Sequence, residues 1–138
     1  MKNILKLLFL VIFSLFFVTG CSNEKQSKKP FIVFSDQPIH ERTVPKSVFG
    51  KGKRVYFAAI KPKGFESEVI RVQIFKKDDK TAYLGYSYYS NKDYRLENDK
   101  FFLDYFIIHT EGHYVTQVFE ITNLQKPVMI GDFWIVDR

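Results

Sequence analysis

Residues Glu68–Lys76 read EVIRVQIFK, and their reading decides the fold. Ile70, Val72 and Ile74 alternate with Arg71 and Gln73, the two-residue period of a strand with one face on a core and the other in water. Lys76 is assigned to the wet side with Arg71 and Gln73. The same grammar extends in both directions. From Phe31 onward, short runs rich in Val, Ile, Phe and Tyr are separated by Gly, Pro, Asn, Asp or Lys clusters, and no helical period competes with them. The predicted strands are Phe31–Ser35, Arg54–Ile60, Glu68–Lys76, Thr81–Ser90, Phe101–His109, His113–Ile121 and Val128–Val136.

The punctuation agrees. Pro38, Pro45 and Pro62 fall in gaps between the early strands, and Pro127 precedes the last, where a missing backbone donor does little harm. Lys77-Asp78-Asp79-Lys80 and Thr110-Glu111-Gly112 read as turns, the latter with a glycine able to take positive φ, and both are expected to join antiparallel neighbours. Phe101–His109 is nearly continuously apolar, with Asp104 the one interruption, which predicts a strand covered on both sides or lying at an interface. Asp104 then needs a partner or water.

Seven strands is the count of an immunoglobulin-like sandwich, and a motif near the C-terminus points the same way. In Glu111-Gly112-His113-Tyr114, a glycine precedes by two residues a tyrosine that opens the penultimate strand. This resembles the tyrosine corner of immunoglobulin-like and fibronectin-like domains. The resemblance implies that the Tyr114 hydroxyl bonds back to nearby backbone. Residues Tyr114–Phe119 through Gly131–Val136 look like the closing hairpin of bacterial domains of this kind. Cys21 is the sole cysteine and Trp134 lies on the final strand, so an antibody-type domain is excluded. The expected fold is all-β, a seven-stranded antiparallel Ig-like sandwich over residues 31–138.

The N-terminus carries an address. Lys2 and Lys6 precede an apolar stretch from Leu7 to Val18, broken by Ser14, and small residues follow at Thr19-Gly20. A basic start, an apolar centre of about 12 residues and a small-residue cleavage site make a secretory signal over residues 1–20. The run is shorter than the roughly 20 residues a membrane-spanning helix needs. Val18-Thr19-Gly20-Cys21 resembles the lipobox of bacterial lipoproteins, with Val18 and Thr19 in place of the commoner leucine and alanine or serine. The resemblance implies cleavage before Cys21, a diacylglyceryl thioether on its sulfur and often a further acyl chain on its amino group. Two or more chains hold a protein stably on a membrane. Ser22 stands where many inner-membrane lipoproteins carry aspartate, which favours the outer membrane or cell surface. Cys21–Pro30, with Ser22–Pro30 reading SNEKQSKKP, is then a flexible tether.

With the leader removed, Lys and Arg fall from 21 to 19 against 15 acids, so the mature chain carries about +4. Its 118 residues match one domain able to bury an ordinary core. One cysteine excludes a disulfide framework within the chain. So modest a charge on an exported domain argues against nucleic acid as partner.

Candidate functional residues are of two kinds. Arg42, Lys46, Lys51, Lys53, Arg54, Lys61 and Lys63 lie between Glu41 and Glu66 with no acid among them. This basic segment suits anionic headgroups, acidic glycans or an acidic protein, and equally a solvated loop. Tyr83, Tyr86, Tyr88, Tyr89 and Tyr94 crowd into twelve residues, suited to stacking on sugars or forming a protein interface, although alternation sends some of them inward. A glycan or anionic-ligand site would use both groups, Tyr83, Tyr86, Tyr88 and Tyr89 with Lys51, Lys53 and Arg54, and requires that they converge on one surface. Metal coordination by His109, Glu111 and His113 is disfavoured, because a histidine pair at that spacing depends on a helix and a turn stands here instead. No nucleophile elbow, phosphate loop or catalytic cysteine arrangement occurs. The reading is a non-catalytic envelope lipoprotein, without cofactor beyond the lipid on Cys21, whose sandwich binds another protein or helps organise an envelope assembly. The glycan module is its alternative.

Overall fold

The structure, a computed structural model, describes residues 29–77 and 85–138. The leader, Cys21, most of the tether, Asp78–Lys80 and Tyr83 lie outside the described residues. Eight strands follow in order: β1 (Phe31–Ser35), β2 (Val48–Gly50), β3 (Arg54–Ile60), β4 (Val69–Lys77), β5 (Tyr86–Arg95), β6 (Phe101–Ile107), β7 (Gly112–Glu120) and β8 (Met129–Val136). They form a three-stranded sheet, β1-β3-β6, and a five-stranded sheet, β2-β8-β7-β4-β5. In immunoglobulin terms the first is A-B-E and the second continues G-F-C with an added C′ strand. The fold is an all-β Ig-like sandwich.

Side chains alternate across each strand, so register assigns every residue to the core or an outer face. Ile70, Val72 and Ile74 of β4 point inward beside Tyr114, Val118, Phe133 and Ile135 from β7 and β8. From the other sheet come Phe34, Val55, Phe57, Ala59, Phe102 and Phe106. The layers meet through rings. Phe133 lies 5.0 Å from Phe34 and 5.1 Å from Phe106, and Phe57 lies 5.5 Å from Phe106. The Tyr114 hydroxyl donates to the Thr110 carbonyl at 2.8 Å, and its ring stacks on Phe133 at 5.6 Å, which makes it the expected tyrosine corner.

The strand list needs four corrections. β2 was not expected: three residues between Pro45 and Gly52 are too short to show a period, yet Val48-Phe49-Gly50 pair in parallel with β8, so the described residues form eight strands with one parallel pair. Of the strand placed at Thr81–Ser90, residues 81–84 lie outside the described residues, and the described strand runs on from Tyr86 to Arg95. Asn91, Lys92, Asp93 and Arg95 are weak strand formers, but pairing on β4 overrides propensity, with the Arg71 guanidinium donating to Asp93 at 2.7 and 3.0 Å. Thr110-Glu111-Gly112 does not join paired strands; β6 and β7 belong to opposite sheets, and Gly112, at φ 148°, opens the crossing between them. Lys76 follows the inward parity of Ile74, its stem lying so close to Gly112 that a Cβ there would come within 2.6 Å of Lys76 Cε.

Candidate functional site

Both outer faces of the sandwich expose apolar side chains, and they differ in chemistry. On the five-stranded sheet, Trp134, His113, Lys77 and Tyr86 form one row, and Asp132, Val115, Phe75 and Tyr88 the next. Tyr86, Tyr88, Trp134 and Ile130 are exposed. Trp134 and His113 stack face to face at 4.3 Å, and the His113 Nε2 lies 2.7 Å from Asp132 Oδ2, so this histidine is held by its own sheet. Tyr88 meets Phe75 edge to face at 5.4 Å. The face mixes rings with hydrogen-bonding groups, the composition of a protein or ligand contact surface.

The three-stranded sheet presents a more apolar face. Its rows are Phe31–Ile60–Phe101, Val33–Ala58–Leu103, Ser35–Tyr56–Tyr105 and Arg54–Ile107. Phe31, Phe101, Leu103, Tyr105 and Ile107 are exposed. Arg54, the one charged residue in these rows, lies over the Tyr105 ring with its guanidinium carbon 4.7 Å from the centroid. Its pKa is raised by hydrogen bonding to Tyr56 and by the charges that Tyr105 and Tyr56 would carry. Of the two expectations for Phe101–His109, cover on both sides fails, since the odd-numbered side chains of β6 face solvent, while a place at an interface is untested. Asp104, on the inner side of β6, finds its partner in Tyr94, whose hydroxyl is pushed well above the ordinary phenol range by burial and then by Asp104.

The tyrosines singled out in sequence are divided. Tyr86 and Tyr88 face outward on the five-stranded sheet, while Tyr94 packs inward on Phe102 at 4.5 Å. The β4–β5 register shifts between Ile74 and Phe75, which pair with Ser90 and Tyr88, so Tyr89 is the additional residue of a bulge. Released from the alternation, it packs edge to face on Tyr114 at 5.7 Å, and its hydroxyl donates to the Ile107 carbonyl at 3.1 Å, bridging to β6.

The basic residues lie elsewhere. Lys51 pairs with Asp137 at 3.2 Å and Glu111 at 3.6 Å, and these contacts, Asp137 first, raise its pKa. Lys53 follows in the turn before β3, and Arg54 belongs to the outer face of the three-stranded sheet. Arg54 and the Tyr86/Tyr88 pair therefore stand on opposite faces, so these three do not share the single surface that a joint glycan or anion site requires. His109 and His113 also diverge. His109 packs against Gly52, whose Cβ would lie 3.4 Å from its Nδ1, while His113 joins Asp132 and Trp134. Among the described residues, no group of three His, Cys, Asp or Glu could hold a metal ion.

The apolar face of the three-stranded sheet was missed by residue-level sequence reading. Its trace was the near-continuous run Phe101–His109, whose second side has no covering layer among the described residues. Trp134 and Ile130 were also passed over, because the final strand read only as a closing hairpin.

No protein-family model and no curated protein matches the chain. Among solved structures it is similar to the CARDB domain of the PF1109 protein from Pyrococcus furiosus, determined in complex with di-metal ions. The likeness covers 80% of this chain and 93% of that one, at 16% identity and a TM-score of 0.37.

Proposed function

We propose that this chain is a non-catalytic, lipid-anchored envelope module that binds a protein partner through the outer face of its five-stranded sheet. The observation that carries this reading is the exposure of Tyr86, Tyr88, Trp134 and Ile130 on one face beside Asp132, Gln73, Gln117 and Asn91. Rigid aromatics among hydrogen-bonding side chains are the composition of interface hot spots. The anchoring half of the proposal comes from the lipobox-like Val18-Thr19-Gly20-Cys21 and the basic-apolar leader before it.

A photo-reactive residue at position 130, beside the aromatics, tests the partner in native envelopes. One defined crosslinked protein is expected, and Tyr86→Ser with Tyr88→Ser should weaken its capture by about 30-fold or more, the loss of a hot spot. Thermal melting of the same variant should stay close to wild type, since both side chains are surface groups. Unchanged capture by the variant, or no crosslinked protein at all, sinks the proposal. Separately, Cys21→Ala should remove lipid labelling at this position and block cleavage before residue 21; labelling and processing that survive would refute the anchor.

A further inference from the structure

We infer that the outer face of the three-stranded sheet lies against an anionic lipid surface, holding the five-stranded sheet outward; this rests on the lipid anchoring proposed above. The first support is the reach of the chain. Phe31 follows Cys21 by ten residues, so an anchored cysteine keeps Phe31, at the head of the row Phe31–Ile60–Phe101, within about 35 Å of the bilayer, and less when the tether is not fully extended. The tether therefore keeps the start of β1, at the Phe31 end of the apolar face, close to the membrane.

Charge supplies the second support. Lys29, Lys63 and Lys100 are exposed around the Phe31–Ile60–Phe101 end, and Lys53 and Arg54 around the other. None of these five makes an ion pair among the described residues. Of the nearby acids, Asp36 pairs with Lys46 and Glu120 with Lys61, while Glu66, Glu97 and Asp99 are exposed and make no ion pair among the described residues. An apolar strip with cations at both ends matches a headgroup layer, where each basic residue near an anionic surface improves binding by about fivefold.

Area is the third. Phe31, Phe101, Leu103, Tyr105 and Ile107 are each roughly two-fifths exposed. At about 200 Å² for a large side chain, they offer on the order of 400 Å² to a neighbour, about half of what each partner contributes to a stable protein dimer. That is too little for two free copies and sufficient for a surface already held close by a tether.

The test uses the mature lipidated protein carrying Trp134→Phe and Phe101→Trp, which leaves one reporter indole on the face. It is reconstituted into vesicles of brominated phosphatidylcholine mixed with phosphatidylglycerol. Flotation reports the anchor, and bromine quenching of the indole reports the contact. The proposal expects flotation with quenching, and loss of the quenching when Lys29, Lys63 and Lys100 are changed together to Glu, a drop of more than about 100-fold in surface affinity. Protein that floats with an unquenched indole leaves the anchor standing and overturns the lipid-facing assignment. Protein that does not float overturns both. Quenching unaffected by the charge reversal refutes the anionic surface, and an indole shielded only as protein concentration rises assigns the face to a second copy instead.

Discussion

The Tyr114 hydroxyl ends inside the sandwich, where its ring is fully buried against Phe133 and its proton goes to the Thr110 carbonyl. Burial, with a smaller contribution from Tyr89, pushes its pKa up to about 12, and Tyr94 moves in the same direction. An unfolded phenol titrates near 10. Below about pH 10 both states keep the proton and the stabilisation is fully present; between about pH 10 and 12 only the unfolded state ionises, so it is progressively lost. The melting temperature should therefore fall through this window, and fall less steeply for Tyr114→Phe. At neutral pH the same variant, having lost one hydrogen bond, should be about 1 kcal/mol less stable, lowering the melting temperature by roughly 5 °C. A variant as stable as wild type would mean the corner contributes nothing here. Tyr114 was legible in sequence because its glycine-spaced motif is local. Tyr89 was not, because its direction depends on a bulge that exists only in the register between β4 and β5.

At the scale of elements, the two sheets approach most tightly where β1 crosses β8. Gly131 sits there with its Cα facing the core, and a Cβ would lie 2.9 Å from the Phe34 ring and 3.2 Å from the Ile32 Cβ. A methyl group at this position must push β1 away from β8. Gly131→Ala is predicted to cost about 1–3 kcal/mol by overpacking, measured by chemical denaturation, with no change in the slope against denaturant. Stability equal to wild type would show that β1 yields freely. The boundaries of β1 and β3 agree with their sequence patterns because alternation or an apolar run marks them. β2 escaped because three residues carry no period, and its parallel pairing with β8 is a tertiary contact.

For the whole molecule, one ion pair clamps the sheets at the end that carries Phe31 and Phe101. The Lys61 ammonium, just past β3, donates to Glu120 Oε1 at 2.7 Å at the end of β7, and the Glu66 backbone N–H donates to the same oxygen at 2.9 Å. Both side chains are largely buried, 16% and 6% exposed. Removing one partner strands a desolvated charge, so Lys61→Met should cost about 3 kcal/mol, whereas Lys61→Met combined with Glu120→Leu should recover much of that. Equal losses in the single and double variants would show that the stranded carboxylate is not the cause. No helix among the described residues is long and apolar enough to cross a membrane.

The sequence by itself determined the all-β class, most strand positions and the tyrosine corner, because each is written in neighbouring residues through period, turn chemistry or a short motif. Only the tertiary structure decided which apolar residues are core and which are surface. Phe101–Ile107 is apolar on both sides, so alternation alone assigns neither side to the core. The packing of the five-stranded sheet against Phe102 and Phe106 leaves Phe101, Leu103, Tyr105 and Ile107 in solvent. The same packing divided the tyrosines and set Arg54 on the opposite face from Tyr86 and Tyr88, since a face is a property of register and layer order that residues distant in the chain settle together.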